Sequence, residues 1–243
     1  MSNMRSIYIG FDPREASAFA VARDSAEQHT LRHIPVRGIV LDEMRQRGLY
    51  WRQTSRRLVD GQSVLWDEIS AAPMSTEFAI SRFLTPILAK EGLALFMDAD
   101  MLVRASLVPL FEYAKANPQC AVFCVKHDHQ PKDGVKMDGQ LQTRYARKNW
   151  SSVMLFNCDH PANANLSVDL INNVPGRDLH RFCWLEDHQI GTLGPEWNYL
   201  VGHTKCDESP RIVHFTDGIP TMPGYENVEY ADEWRVAMNA WAR

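Results

Sequence analysis

Residues Leu95-Phe96-Met97-Asp98-Ala99-Asp100-Met101-Leu102-Val103 constrain this chain more than any other stretch. Two carboxylates, two residues apart, interrupt an otherwise apolar run. Residues 93–97 are apolar without alternation, the pattern of a parallel strand covered on both faces. Asp-x-Asp triplets also occur in solvated turns, but these flanks are those of a buried strand. Ionised carboxylates are costly to bury unless they are paired or bind a metal. A strand that ends by presenting Asp98 and Asp100 to a cleft is a natural place to hold a divalent cation. Hard cations take oxygen ligands and commonly bridge to substrate phosphates. In open α/β sheets such sites gather at the carboxyl ends of the strands.

The remaining pattern supplies the sheet. Residues 6–11 read as a first strand ending at Gly10, and Asp12-Pro13-Arg14 as a turn that caps a helix over 14–29. Residues 33–40 predict a second strand, placed near an edge by Pro35. This strand–helix–strand grammar implies parallel pairing with helices on the faces. Residues 43–66 carry Arg45, Arg47, Trp51, Arg52, Arg56, Arg57 and Trp66, and read as an exposed loop or short helix near the cleft. Ser75-Thr76-Glu77 begins an expected helix running through Leu88, perturbed in its middle by Pro86 and ended by Gly92. Further strands are expected at 120–125, 152–157 and 212–215, and helices from Pro109, over 163–173 and from Asp232. The polar stretch 126–149 has no apolar periodicity and reads as a functional loop or insertion.

Composition excludes several classes. A net charge of −4 gives no support to a nucleic-acid partner. No apolar stretch reaches transmembrane length and no signal-peptide core follows Met1. A cytoplasmic protein is expected, with peripheral membrane contact left open. Cys120, Cys124 and Cys158 sit in apolar runs and read as core thiols of a reducing compartment. His180-x-x-Cys183 with His203-x-x-Cys206 offers a second metal set, in a spacing that matches no common zinc pattern.

Several segments, in one order, resemble GT-A glycosyltransferases of the glycogenin and lipopolysaccharide-galactosyltransferase type. Ile7-Tyr8-Ile9-Gly10-Phe11-Asp12 resembles the first strand and nucleotide-binding loop. Ser81-Arg82-Phe83-Leu84 and the Asp98-Ala99-Asp100 strand resemble the helix and DxD metal strand. Trp150–Asn157 is similar to the strand leading to the donor-sugar pocket. Glu186-Asp187-His188-Gln189 with Trp197-Asn198 resembles the acidic segment beside the donor sugar, and His214-Phe215-Thr216-Asp217-Gly218 the C-terminal histidine motif. The match spans roughly residues 6–224.

The resemblance implies an α/β chain with a GT-A, Rossmann-like, mainly parallel central sheet flanked by helices, as one domain over 1–243. It implies a hexosyltransferase-like enzyme that moves sugar from a nucleotide diphosphate sugar, a UDP-sugar above all, to a saccharide or other hydroxyl acceptor, with retention. Mn²⁺ or Mg²⁺ is expected on Asp98, Asp100 and His214, since imidazole suits Mn²⁺ better than Mg²⁺. Arg82 is expected to hold donor sugar or pyrophosphate, and Asp187 to face the sugar. Gly10, Phe11, Asp12, Arg14, Asp98, Asn157 and Gln189 are expected to contact the nucleotide sugar. The chain departs from the family pattern in two places. The family lysine beyond the histidine is missing from Asp217–Gly224, leaving Lys205 or the basic loop 126–148 as substitutes. The family Asp-Gln dipeptide is here Asp187-His188-Gln189. Two other readings remain at this stage: a nucleotidyltransferase, for which the single glycine of Gly10–Arg14 is a poor phosphate loop, and a non-catalytic sugar-nucleotide-binding module.

Overall fold

The computed structural model describes residues 2–59, 61–127, 134–135, 141–142 and 150–241. The chain runs β1 (Arg5–Gly10), α1 (Ala16–Gln28), β2 (Val36–Ile39), α2 (Leu41–Gln46), β3 (Thr54–Val59), β4 (Gln62–Asp67), β5 (Ala72–Met74), α3 (Thr85–Ala89), β6 (Leu93–Met97) and β7 (Met101–Val103). It continues through α4 (Val108–Ala116), β8 (Val122–Val125), β9 (Gly134–Val135), β10 (Leu141–Gln142), β11 (Val153–Asn157), α5 (Val168–Asn173), α6 (Gly176–His180), β12 (Ile190–Leu193), β13 (Tyr199–Leu200), β14 (Ile212–His214) and α7 (Ala231–Trp241).

The central sheet has the order β12-β8-β11-β6-β1-β2. Its pairings are parallel except those of β11, which runs antiparallel to both β6 and β8. Side chains alternate between two apolar layers. Tyr8, Phe96, Met154 and Phe156 enter one layer; Ile7, Ile9, Leu95, Met97, Val153 and Leu155 enter the other. Both faces are covered, so the strands carry unbroken apolar runs instead of alternation. Gly10 ends β1 where a Cβ would lie 2.3 Å from the Phe78 ring, so only glycine lets that ring pack there. β2 is an edge strand, in agreement with Pro35 just before it.

A smaller sheet, β13-β14-β7, sits beyond the Asp98–Asp100 turn. β14 pairs antiparallel with β7, which sets His214 opposite Met101. Trp234 of α7, fully buried, joins Val213, Phe215 and Leu102 in a third apolar cluster behind this sheet.

Three expectations are corrected. Residues 43–66 are not simply an exposed loop. They contribute to α2 and the β3–β4 hairpin, with Arg56 and Arg57 exposed but Tyr50 and Arg52 buried. Arg52 makes a bidentate pair with Asp67, Nε to Oδ1 at 2.7 Å and Nη2 to Oδ2 at 2.6 Å, both side chains wholly enclosed. The expected long helix over 75–88 is a series of turns, a short 3-10 segment Ser81–Leu84, and α3. Pro86 lies in the first turn of α3, where its missing N–H costs nothing. β12 was not expected at all. The loop 126–149 falls outside the described residues except at Lys126, His127 and the paired strands β9 and β10.

Arg52→Met should destabilise the protein by about 3–5 kcal/mol in urea unfolding, because it leaves the Asp67 carboxylate buried without its cation. Replacing both partners with apolar residues should recover much of that loss. A single-variant loss below about 1 kcal/mol would mean that water reaches Asp67.

Candidate metal and nucleotide site

β6 delivers Asp98 and Asp100 to the carboxyl end of the sheet, where the turn into β7 carries both. Their side chains are 15% and 19% exposed. The backbone on each side is tied down: Asp98 N–H donates to the Ser152 carbonyl at 3.0 Å, and Phe215 N–H to the Asp100 carbonyl at 2.9 Å. β14 brings in His214, buried, with Nε2 3.2 Å from Asp100 Oδ1. One ligand atom from each of Asp98, Asp100 and His214 lies within 4.8 Å of the others.

The histidine is held from behind. Asn198, fully buried, donates through Nδ2 to Ser152 Oγ at 2.8 Å, so its Oδ1 faces His214 Nδ1 at 3.0 Å. That oxygen can only accept, so Nδ1 carries a proton and Nε2 is the nitrogen that faces the two acids. Two carboxylates and one imidazole nitrogen converging at this distance form a donor set that suits a divalent cation. His180, Cys183, His203 and Cys206 do not converge: among the described residues, Asp98, Asp100 and His214 are the group able to share an ion. All five cysteines are free thiols, and burial pushes Cys158 up to about 12.

Arg82 is also brought to the site, as expected of a residue near the donor. It is 5% exposed, and its Nη1 sits 2.7 Å from Asp98 Oδ1 and donates to the Ser151 carbonyl at 2.9 Å. The guanidinium lies over the rings of Phe78 and Phe96, 5.3 and 5.2 Å from their centroids. It lies beside the Asp98 carboxylate, buried, and does not reach into solvent. Gly10 ends β1, and Phe11, Asp12 and Arg14 follow it at the same end of the sheet. Asp12 is enclosed, accepting from Arg14 N, Nε and Nη2 and from Glu77 N at 2.7–3.0 Å. These bonds overcome the opposing effect of burial and hold its carboxyl below the usual range. Its oxygens are committed to fixing the loop, not to receiving a ribose.

Asn157, Asp187 and Gln189 are not brought to this site. β11 is antiparallel to β6, so Asn157 lies opposite Leu93, the far end of the strand from Met97 and about 13 Å away along it. Asn157 instead donates to the carbonyls of Pro118 and Cys120. Residues 187–189 precede β12, which runs parallel to β8, and Ala121 N–H donates to the Gln189 carbonyl. They therefore sit at that same far end, Asp187 exposed and Gln189 closing a capping box with Glu186. Ser151, Ser152 and His180 do stand beside the site. Ser151 and Ser152 lay within the matched Trp150–Asn157 strand, and no role had been drawn from them.

This fold and site define a class. Solved structures similar to the chain include the WbbM bifunctional glycosyltransferase (14% identity, TM-score 0.59, covering 98% of this chain and 50% of that one). They also include GlyE of Streptococcus pneumoniae TIGR4 (16%, 0.58, 99% and 64%) and the galactosyltransferase LgtC in complex with donor and acceptor sugar analogs (12%, 0.57, 97% and 95%). The chain thus has the GT-A fold of glycosyltransferases, and it spans half to two-thirds of the length of WbbM and GlyE. No protein-family profile matches it. It is 39% identical over 234 residues to Protein CDI of Arabidopsis thaliana, covering 94% of this chain and 83% of that protein, and it belongs to the same family. No helix among the described residues is long and apolar enough to cross a membrane.

Asn198→Ala should weaken Mn²⁺ binding about 10–100-fold, because His214 loses the acceptor that fixes its tautomer; Mn²⁺ electron paramagnetic resonance titration reads this directly, and unchanged affinity would disprove the role. Asp12 gives a pH signature. Its pKa is lowered by folding, so its stabilisation is present above the unfolded value of 3.8 and is lost as pH falls through the folded value. The unfolding free energies of wild type and Asp12→Asn should differ at pH 6 and converge at acid pH; a gap that persists at pH 2 would assign the effect to packing.

Proposed function

We propose that this chain is a metal-dependent glycosyltransferase that takes a sugar from a nucleoside diphosphate sugar, a UDP-sugar first among them, and gives it to a hydroxyl acceptor. The observation that carries the reading is the convergence of Asp98, Asp100 and His214 at the carboxyl end of the central sheet, in a GT-A fold. Those three residues would hold Mn²⁺ or Mg²⁺, which when bound neutralises charge on the departing nucleoside diphosphate.

The protein groups divide the remaining work. Arg82 sets a buried cation beside Asp98, an ion pair in a largely water-free setting. Asn198 keeps His214 Nε2 facing the acids. Asp12 and Arg14 lock the loop after β1 against Ser75 and Glu77, so the Gly10–Phe11 backbone offers a fixed surface to the nucleoside. The substitute for the missing family lysine is Lys205 or the basic loop 126–148. Lys205 lies two residues past His203, whose Nε2 is 2.6 Å from Asp217 Oδ2, and this contact ties its segment to the loop beyond His214. Retention of configuration rests on the family resemblance alone, with Asp187 and Gln189 removed from the sugar contacts by their position.

Thermal shift with UDP, GDP and their sugars tests the reading. Nucleotide at 100-fold over its dissociation constant should stabilise the protein by about 2.7 kcal/mol with Mn²⁺ present and not in EDTA. Asp100→Ala should abolish the shift. If every nucleotide fails with both Mn²⁺ and Mg²⁺ present, the central claim falls. Proton NMR of the product anomer decides retention against inversion.

A further inference from the structure

The site has a support that reaches well outside it. The Ser151 carbonyl receives Arg82, and the Ser151 hydroxyl lies 2.6 Å from His180 Nδ1. His180 closes the five-residue helix α6 and meets the Phe83 ring edge-on, centroids 5.2 Å apart. The other end of α6 is pinned just as firmly. Gly176 N–H donates to Ser70 Oγ at 2.7 Å, and Ser70 Oγ also accepts from Arg52 Nη2. Arg52 Nη1 donates to the carbonyls of Ile171 and Val174, immediately ahead of α6. A contiguous set of polar contacts therefore runs from the buried Arg52–Asp67 pair through Ser70 and α6 to His180, Ser151, Arg82 and Asp98.

We propose that His180 is a positioning residue of the metal site: through Ser151 it fixes the carbonyl that orients Arg82, and so aims the Asp98 ligand. This rests on the reading of Asp98, Asp100 and His214 as a cation site. Ser151 and His180 have the spacing of a nucleophile and its base. Ser151 is only 3% exposed, however, and its carbonyl is already bound to Arg82, so orientation is the use that fits. The setting also suits a neutral ring. Burial first, then the nearby Arg82 and Arg52 cations, push the His180 pKa down to about 3. The ring adds no third positive charge beside Arg82, which keeps its full attraction for Asp98.

Mn²⁺ affinity of the full chain, read by electron paramagnetic resonance without nucleotide, tests this alongside the melting temperature. His180→Phe keeps the ring and its contact with Phe83 but loses the bond to Ser151. It should bind Mn²⁺ roughly tenfold more weakly, in the range seen for residues that support ligands from behind. His180→Asn, which can still bond to Ser151 Oγ, should recover most of the affinity. Ser151→Ala should match His180→Phe, and the double variant should be no worse than either one. Wild type that binds no Mn²⁺ overturns the metal-centre reading and this proposal with it. Wild type that binds, with His180→Phe equal to it, overturns the positioning role alone. Losses that add in the double variant, or an Asn variant no better than Phe, assign His180 to packing and also overturn the role.

Discussion

Two carboxylates and an imidazole held within a few ångströms, largely out of water, repel one another and are expensive to desolvate. The carboxyl end of the sheet is organised around that constraint. Asp98 is balanced by Arg82, itself nearly buried. Asp100 faces His214, whose protonated nitrogen is turned away toward Asn198. Arg82 and His214 thus stand beside different acids. Two carboxylates and an imidazole nitrogen within this distance form a donor set of the kind a divalent cation takes.

Both flanks meet at one dipeptide. Ser151 offers its carbonyl to Arg82, while Ser152 offers its carbonyl to Asp98 and its hydroxyl to Asn198. The antiparallel direction of β11 makes this arrangement available. A strand entering from the carboxyl end presents its first residues beside the turn after β6, where a parallel strand would present its last. The single reversed strand in the sheet therefore sets the support for Asp98, Arg82 and Asn198, and the same reversal carries Asn157 away from them.

That reversal also explains which parts of the site were legible in the sequence. β1, β6, β8 and β11 announce themselves as apolar runs, and Asp98 and Asp100 stand out because they break one. His214 was legible because it opens the segment His214–Gly218 that resembles the C-terminal histidine motif. Asn157, Asp187 and Gln189 were placed by motif order, which carries no strand direction. Short β12 follows Gln189 at once and runs up from the far end, so the acidic segment is left behind at that end. Arg52 was misread for another reason: its partner is Asp67, and a stretch rich in arginine and tryptophan looks solvated until that pairing is known. Pro86 misled in the same way, since proline suits a first helical turn as well as it breaks a middle one, and only the chain's path decides between them.

The buried Arg52–Asp67 pair raises a question of cost. Such pairs stabilise little compared with apolar replacements of the same shape, so stability alone is a weak reason to have one here. What it supplies that an apolar pair could not is direction. A guanidinium with five donors binds Asp67, Ser70 and two consecutive-turn carbonyls at once, and these contacts fix the path of the chain into α6. Apolar packing would tolerate a small slide of α6 along its neighbours. His180 must meet one hydroxyl at hydrogen-bond distance, and a slide of an ångström breaks that contact. The hydrogen-bonded geometry at one end of the segment is thus matched to a hydrogen-bonded requirement at the other.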